Sequence, residues 1–194
     1  KSFYSEVQMV NTNEKYYLSL LQDMLVNKTY KTSKYHVFKI KDKGKEREIY
    51  KLPYFPDRIC HWAIMQQIES IFLNTFTNFT CASIPNRGIH YALQLLNKYL
   101  KDIEGTKYCL KIDIKKFFPN INHNILKKLL RRKIKDNDLL WLLDEIIDSI
   151  DGDIGIPIGN YLSQYFANFY LTYFDHWLKE EKKVKYVIRY MDDI

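Results

Sequence analysis

Cysteine is scarce in this chain of 194 residues, and the three present are an odd, widely spaced set: Cys60, Cys81 and Cys109. No disulfide framework can be drawn from them, and their apolar neighbours predict buried free thiols in a reducing cytoplasm. There is no Cys-x-x-Cys, and His36, His61, His90, His123 and His176 lack ligand spacing, so a zinc site is not expected. A Walker loop and a Gly-x-Gly-x-x-Gly turn are also missing, which removes P-loop ATPases and dinucleotide-binding enzymes. No apolar run approaches the ~18 residues of a membrane span, and no secretory signal opens the chain. No membrane partner is therefore expected. Internal repeats, low-complexity stretches and a clear linker are absent as well.

What is present is positive charge beside aromatic rings. Thirty Lys and Arg oppose 23 Asp and Glu, a formal net charge of +7, and 16 Tyr and 11 Phe are interleaved with the cations. That mixture suits a polyanion whose bases can stack. Composition alone does not separate such a partner from a plain basic surface. The length allows one domain or two small ones.

Along the chain, residues 1–35 carry helical apolar spacing through Tyr17, Leu18, Leu21, Met24 and Leu25. Tyr35–Ile40 and Glu46–Tyr50 flank the turn Lys41–Lys45 and predict a hairpin bearing Lys39, Lys41, Lys43, Lys45 and Arg47. Pro53 and Pro56 make a rigid turn before a helix predicted over Ile59–Phe72. Another helix is predicted over Ile89–Leu100. Asn122 is a predicted cap for a helix whose Ile125, Leu126, Leu129 and Leu130 face inward, and Asp136–Ile150 reads as a further amphipathic helix.

Two apolar, β-prone runs end in acids. Tyr108–Ile114 carries Asp113, and Val184–Tyr190 leads to Met191, Asp192 and Asp193. Paired as strands, these runs would crowd three carboxylates together, and they would repel unless cations neutralised them. Oxygen-only donors suit Mg²⁺ or Mn²⁺. Two such ions roughly 4 Å apart serve in-line displacement at phosphorus. Between the acids lies Gly155-Ile156-Pro157-Ile158-Gly159-Asn160-Tyr161-Leu162-Ser163-Gln164, a loop opening a helix.

The aspartate strand, the Pro-x-Gly loop and the Tyr190-Met191-Asp192-Asp193 turn stand in the order found in reverse transcriptases, and residues 40–194 resemble that family. Ile158-Gly159-x-x-x-Ser163-Gln164 resembles the bacterial enzymes of diversity-generating retroelements, where most others have Gln-Gly-x-x-x-Ser-Pro. The resemblance implies an α+β, right-hand polymerase fragment with an antiparallel palm sheet packed on helices and no thumb. Residues 1–35 would be an N-terminal helical extension, 36–107 mainly fingers and 108–194 a palm cut after the turn; the lack of an initial Met fits a fragment. It further implies an RNA-directed DNA polymerase in a bacterial cytoplasm. Its partners would be template RNA, a DNA or cDNA primer, deoxynucleotides and a small basic accessory protein.

The resemblance also assigns residues. Asp113 and Asp192 would bind two Mg²⁺ ions (or Mn²⁺), with Asp193 supporting and the Ile114 carbonyl completing a site. Arg47, with Lys41, Lys43 or Lys45, would grip the triphosphate. Phe118 would lie beneath the incoming sugar and exclude a 2′-hydroxyl, while Phe117, on the opposite face of a strand, would be core. Gly159 would let the backbone approach the nascent pair beside Ile158. Arg58 would lie against the template or hold the turn through Asp57, and Arg87 would contact phosphate. Other bacterial reverse transcriptases (group II intron, retron or phage-defence types) and a non-catalytic RNA-binding protein of the same fold are the alternatives.

Overall fold

A computed structural model describes residues 4–42 and 44–194, without the side chains of Asp42 and Lys45; Lys43 lies outside the described residues. Helices α1 (Ser5–Thr12) and α2 (Glu14–Val26) open the chain. Strands β1 (His36–Asp42) and β2 (Lys45–Lys51) then form the predicted antiparallel hairpin. A turn over Tyr54–Arg58, with a cis Phe55–Pro56 peptide, leads into α3 (Ile59–Thr75). Strand β3 (Thr80–Cys81) and α4 (Ile89–Tyr99) follow, then a long extended segment and the single turn α5 (Phe117–Asn120). Helices α6 (His123–Lys133), α7 (Asn137–Ile147) and α8 (Tyr161–His176) lead to β4 (Arg189–Tyr190).

The core is built on α3 and α8. Cys60, Ile64, Met65, Ile68 and Phe72 recur at helical spacing on α3 and are buried. The Phe72 ring sits 5.1 Å from that of Phe169, 5.8 Å from Tyr165 and 6.5 Å from Phe166, all on α8. Each such ring taken from water contributes about 1.5–3 kcal/mol, so this pair of helices supplies much of the core's stabilisation. Helix α6 begins where Asn122 accepts the Ile125 N–H at 2.9 Å, and α7 where Asp136 accepts from Asp138 and Leu139. Such caps are worth about 1 kcal/mol each. Leu126, Leu129 and Leu130 of α6 face inward as predicted, but Ile125 is exposed.

The sheet departs from expectation. In place of one antiparallel palm sheet, the described residues form the β1–β2 hairpin and a short parallel β3–β4 pair, both packed against helices. Only Arg189 and Tyr190 of the predicted 184–190 strand are laddered. Upstream, Lys185 Nζ and Tyr186 Oη are drawn to Asp102 at 2.5 and 2.8 Å, and Tyr186 lies against Tyr99. In the 108–114 run, Ile112 and Ile194 exchange backbone bonds at 2.8 and 2.9 Å and Ile114 N–H reaches Asp192 O at 3.3 Å. Farther back, no backbone hydrogen bond joins the run to another stretch among the described residues, and Cys109 is exposed there, against prediction. Cys60 and Cys81 are buried thiols. Phe117 is buried as predicted, but because it starts α5, not because it alternates along a strand.

Candidate active site

Asp113 and the acidic turn meet through backbone pairing. The Ile112–Ile194 and Ile114–Asp192 bonds set Asp113 opposite Asp193 in an antiparallel bridge. Residues Tyr190–Asp193 close on themselves through Tyr190 N–H to Asp193 O at 2.7 Å. Met191, the first central residue, has φ 58°, the geometry of a II′-type turn. The chain therefore reverses sharply enough to present Asp192 into a cleft of about 660 Å³.

That cleft gathers residues from several separate stretches: Arg47 from β2, Asp113 and Ile114, Phe118 from α5, Ile156–Ile158, and Asp192. Burial raises the Asp192 pKa from its ordinary value, and Asp113 and Asp193 push it the same way; its own backbone N–H and Arg47 oppose them. Asp113 and Asp192 thus share the cleft with Arg47, and Glu46, Glu48, Lys39 and Lys116 also line it. The expectation of three gathered acids is met only in part. Asp193 does not line the cleft, and its carboxylate lies 3.4 Å from Lys111 Nζ. Among the described residues no group of three or more acids, histidines or cysteines is close enough to hold a metal ion. Two cleft carboxylates and the backbone oxygen of Ile114 are nonetheless a hard-oxygen donor set, the kind Mg²⁺ prefers.

Of the Gly155–Asn160 loop, Gly155–Ile158 line this cleft, while Gly159 and Asn160 line a second one beside β2. Gly155 N–H donates to Ile121 O and Ile156 N–H to Phe118 O, while the buried His123 ring holds Gly155 O at 2.6 Å. On the other side Tyr50 N–H donates to Ile158 O at 2.8 Å, so the loop joins β2 to the palm side. Gly159, at φ +119°, is required here: a Cβ would sit 3.0 Å from Ile49 Cγ2 and 3.2 Å from Tyr50 O. Its close approach is to β2. Ser163 is buried and Gln164 partly so at the start of α8. Phe118 packs edge-on against Phe117 and shows a face to the cleft.

Other predicted contacts lie elsewhere. Lys41 is exposed and does not line the cleft, whereas Lys39 does, ion-paired to Glu46 at 3.2 Å. Arg58 is exposed, 5.8 Å over the Tyr54 ring, in a second cleft of about 520 Å³ shared with Trp62 and Tyr161. It does not hold the turn through Asp57, which accepts instead from Tyr30 Oη and Ser33 N–H. Arg87 donates to Thr77 O at 2.8 Å and braces its own loop. Sequence reasoning missed Lys116, at the cleft in a left-handed conformation; the position before Phe117 carried no signal for it.

The profile of the reverse transcriptase (RNA-dependent DNA polymerase) family matches residues 32–194. The chain belongs to this family. Protein YkfC of Escherichia coli (strain K12) is 28% identical over 174 residues, covering 84% of this chain and 45% of that protein. The Group II intron-encoded protein LtrA of Lactococcus lactis subsp. cremoris is 28% identical over 141 residues, 68% of this chain and 23% of its own. The Putative COX1/OXI3 intron 2 protein of Saccharomyces cerevisiae is 26% identical over 137 residues, 64% and 15%. This reverse transcriptase domain thus has relatives of the group II intron type, and it spans less than half the length of each of these three. No helix among the described residues is long and apolar enough to cross a membrane.

Proposed function

We propose that the protein copies an RNA template into DNA, adding deoxynucleotides to a primer in the cleft between β2 and the Asp192 turn. The observation that carries this is the meeting of Arg47, Phe118 and Ile158 with Asp113 and Asp192 in one cleft. Asp113 and Asp192, with the Ile114 carbonyl, would hold two Mg²⁺ ions, and Asp193 orients the turn. Held there, such ions would supply activation of the primer 3′-hydroxyl and neutralisation of the pyrophosphate leaving group. Arg47 binds the triphosphate, since its planar fork suits phosphate oxygens. Phe118 blocks a 2′-hydroxyl, and the Gly155–Asn160 loop supports the new base pair. These groups supply positioning and charge stabilisation, which dominate phosphoryl transfer.

Within the family, Ile158 and Gln164 favour the error-prone enzyme of a diversity-generating retroelement. A second reading, a group II intron-type enzyme, is favoured by the relatives, among them one named as a group II intron-encoded protein. The full-length protein with an RNA template, an annealed DNA primer and deoxynucleotides tests the activity. Extension that needs Mg²⁺ and stops with a chelator is expected; folded protein that extends nothing overturns the proposal. Frequent misinsertion opposite template adenine supports the retroelement reading, and faithful copying there supports the intron type.

A further inference from the structure

Behind the acidic turn lies a guanidinium wholly removed from water. Arg189 is 0% exposed, as is its ion-pair partner Asp175 on α8. Such a group is tolerated only when each N–H finds an acceptor, and here all five do. Nε donates to the Asp175 carboxylate at 2.8 and 3.0 Å. Nη2 donates to Asp175 Oδ2 at 2.6 Å and Asn168 O at 3.3 Å. Nη1 donates to Asn168 Oδ1 at 2.9 Å and to the backbone carbonyl of Met191 at 2.8 Å. The acceptors are themselves fixed: Thr80 Oγ1 donates to Asp175 Oδ2 at 2.9 Å, and Asn168 Nδ2 donates to Ala82 O at 3.0 Å.

Stability does not account for this arrangement, because apolar side chains of similar volume usually serve a core as well as a buried ion pair. What the guanidinium adds is direction. Met191 occupies a positive-φ position where glycine is the unstrained residue. Its carbonyl is held by Arg189, and since the peptide is planar the same bond fixes the direction of the Asp192 N–H and the start of its side chain. We infer that Arg189 is a positioning residue for the acidic turn, a bolt from α8 through Asp175 and Asn168 that holds the Met191 carbonyl and so aims Asp192 into the cleft. The inference rests on reading Asp113 and Asp192 as metal ligands.

The test is Arg189→Lys in the full-length protein, since an ammonium lacks the planar fork needed to serve Asp175, Asn168 and Met191 together. Mn²⁺ affinity, read by electron paramagnetic resonance, should weaken about 10- to 100-fold and kcat should fall comparably, as for partners that orient metal ligands. The KM for deoxynucleotide should move less than about twofold, because the binding contacts are untouched. Thr80→Val is the control: it removes one bond to Asp175 and should lower thermal stability while leaving Mn²⁺ affinity unchanged. Asn168→Ala carries the same test should Arg189→Lys fail to fold. Parental Mn²⁺ affinity in a folded Arg189→Lys or Asn168→Ala protein overturns the inference, as does an equal loss in Thr80→Val. Asp192→Asn separates the two readings. Weakened Mn²⁺ binding there, with unchanged binding in Arg189→Lys, defeats the role of Arg189 alone; unchanged binding in both defeats the metal site too.

Discussion

Replacing Gly159 with alanine probes the joint between the hairpin and the rest of the domain. The backbone at φ +119° is strained for any L side chain, at a cost of about 1–3 kcal/mol. The new Cβ would also meet Tyr50 O at 3.2 Å, and that oxygen belongs to strand backbone and cannot rotate aside. The loop must therefore back away from β2, breaking the bond from Tyr50 N–H to Ile158 O, worth about 0.5–1.5 kcal/mol. Together these predict a loss of roughly 2–4 kcal/mol. Urea unfolding of the full-length protein followed by tryptophan fluorescence suits the measurement, because Trp62 lies 5.8 Å from Tyr161 beside this joint. Deoxynucleotide addition should also slow by roughly tenfold or more as Ile158 shifts in the cleft. A Gly159→Ala protein within about 0.5 kcal/mol of the parent would refute the reasoning, since that is the size of an ordinary surface change.

Three further outcomes are expected. Burial lowers the His61 pKa from 6.5 to about 4, against the opposing pull of Asp57. A depressed folded-state value gives stability that is complete above the unfolded pKa and is lost as pH falls towards about 4, so the parent should lose roughly 2–3 kcal/mol more than His61→Gln between pH 7 and 4.5; equal slopes would dismiss this. Phe118→Val should admit ribonucleotides in primer extension, and unchanged sugar discrimination would contradict its placement beneath the sugar. Ile158→Gln restores a polar group whose unsatisfied state costs about 1–3 kcal/mol, so misinsertion opposite adenine should drop roughly ten- to a hundredfold. Equal error rates with normal correct insertion would show that Ile158 does not set fidelity.

The parts of the site legible in the sequence are those with a local cause. Asp113 follows an apolar run and Asn122 stands where a cap belongs, whereas Phe118 and Ile158 come from the family resemblance. What stayed hidden depends on distant partners. Arg189 reads as an ordinary cation in a β-prone run, and only Asp175 and Asn168 on α8 make it a buried one. Asp193 meets Asp113 across the bridge while its carboxylate turns to Lys111, and Arg87, expected to contact phosphate, donates to Thr77 O instead. Cys109 looked buried because its neighbours are apolar, yet it is exposed together with Tyr108 and Leu110. The β3–β4 pair is parallel and two residues long, too short to leave a periodic signal.

The most direct test of the central claim compares the full-length parent with Asp113→Asn and Asp192→Asn in Mg²⁺-dependent primer extension on an RNA template. Circular dichroism establishes that each variant is folded. The account predicts that both folded variants lose synthesis by several orders of magnitude, as expected when a carboxylate that would hold the catalytic ions is removed. A folded Asp192→Asn protein that extends the primer at close to the parental rate would contradict it.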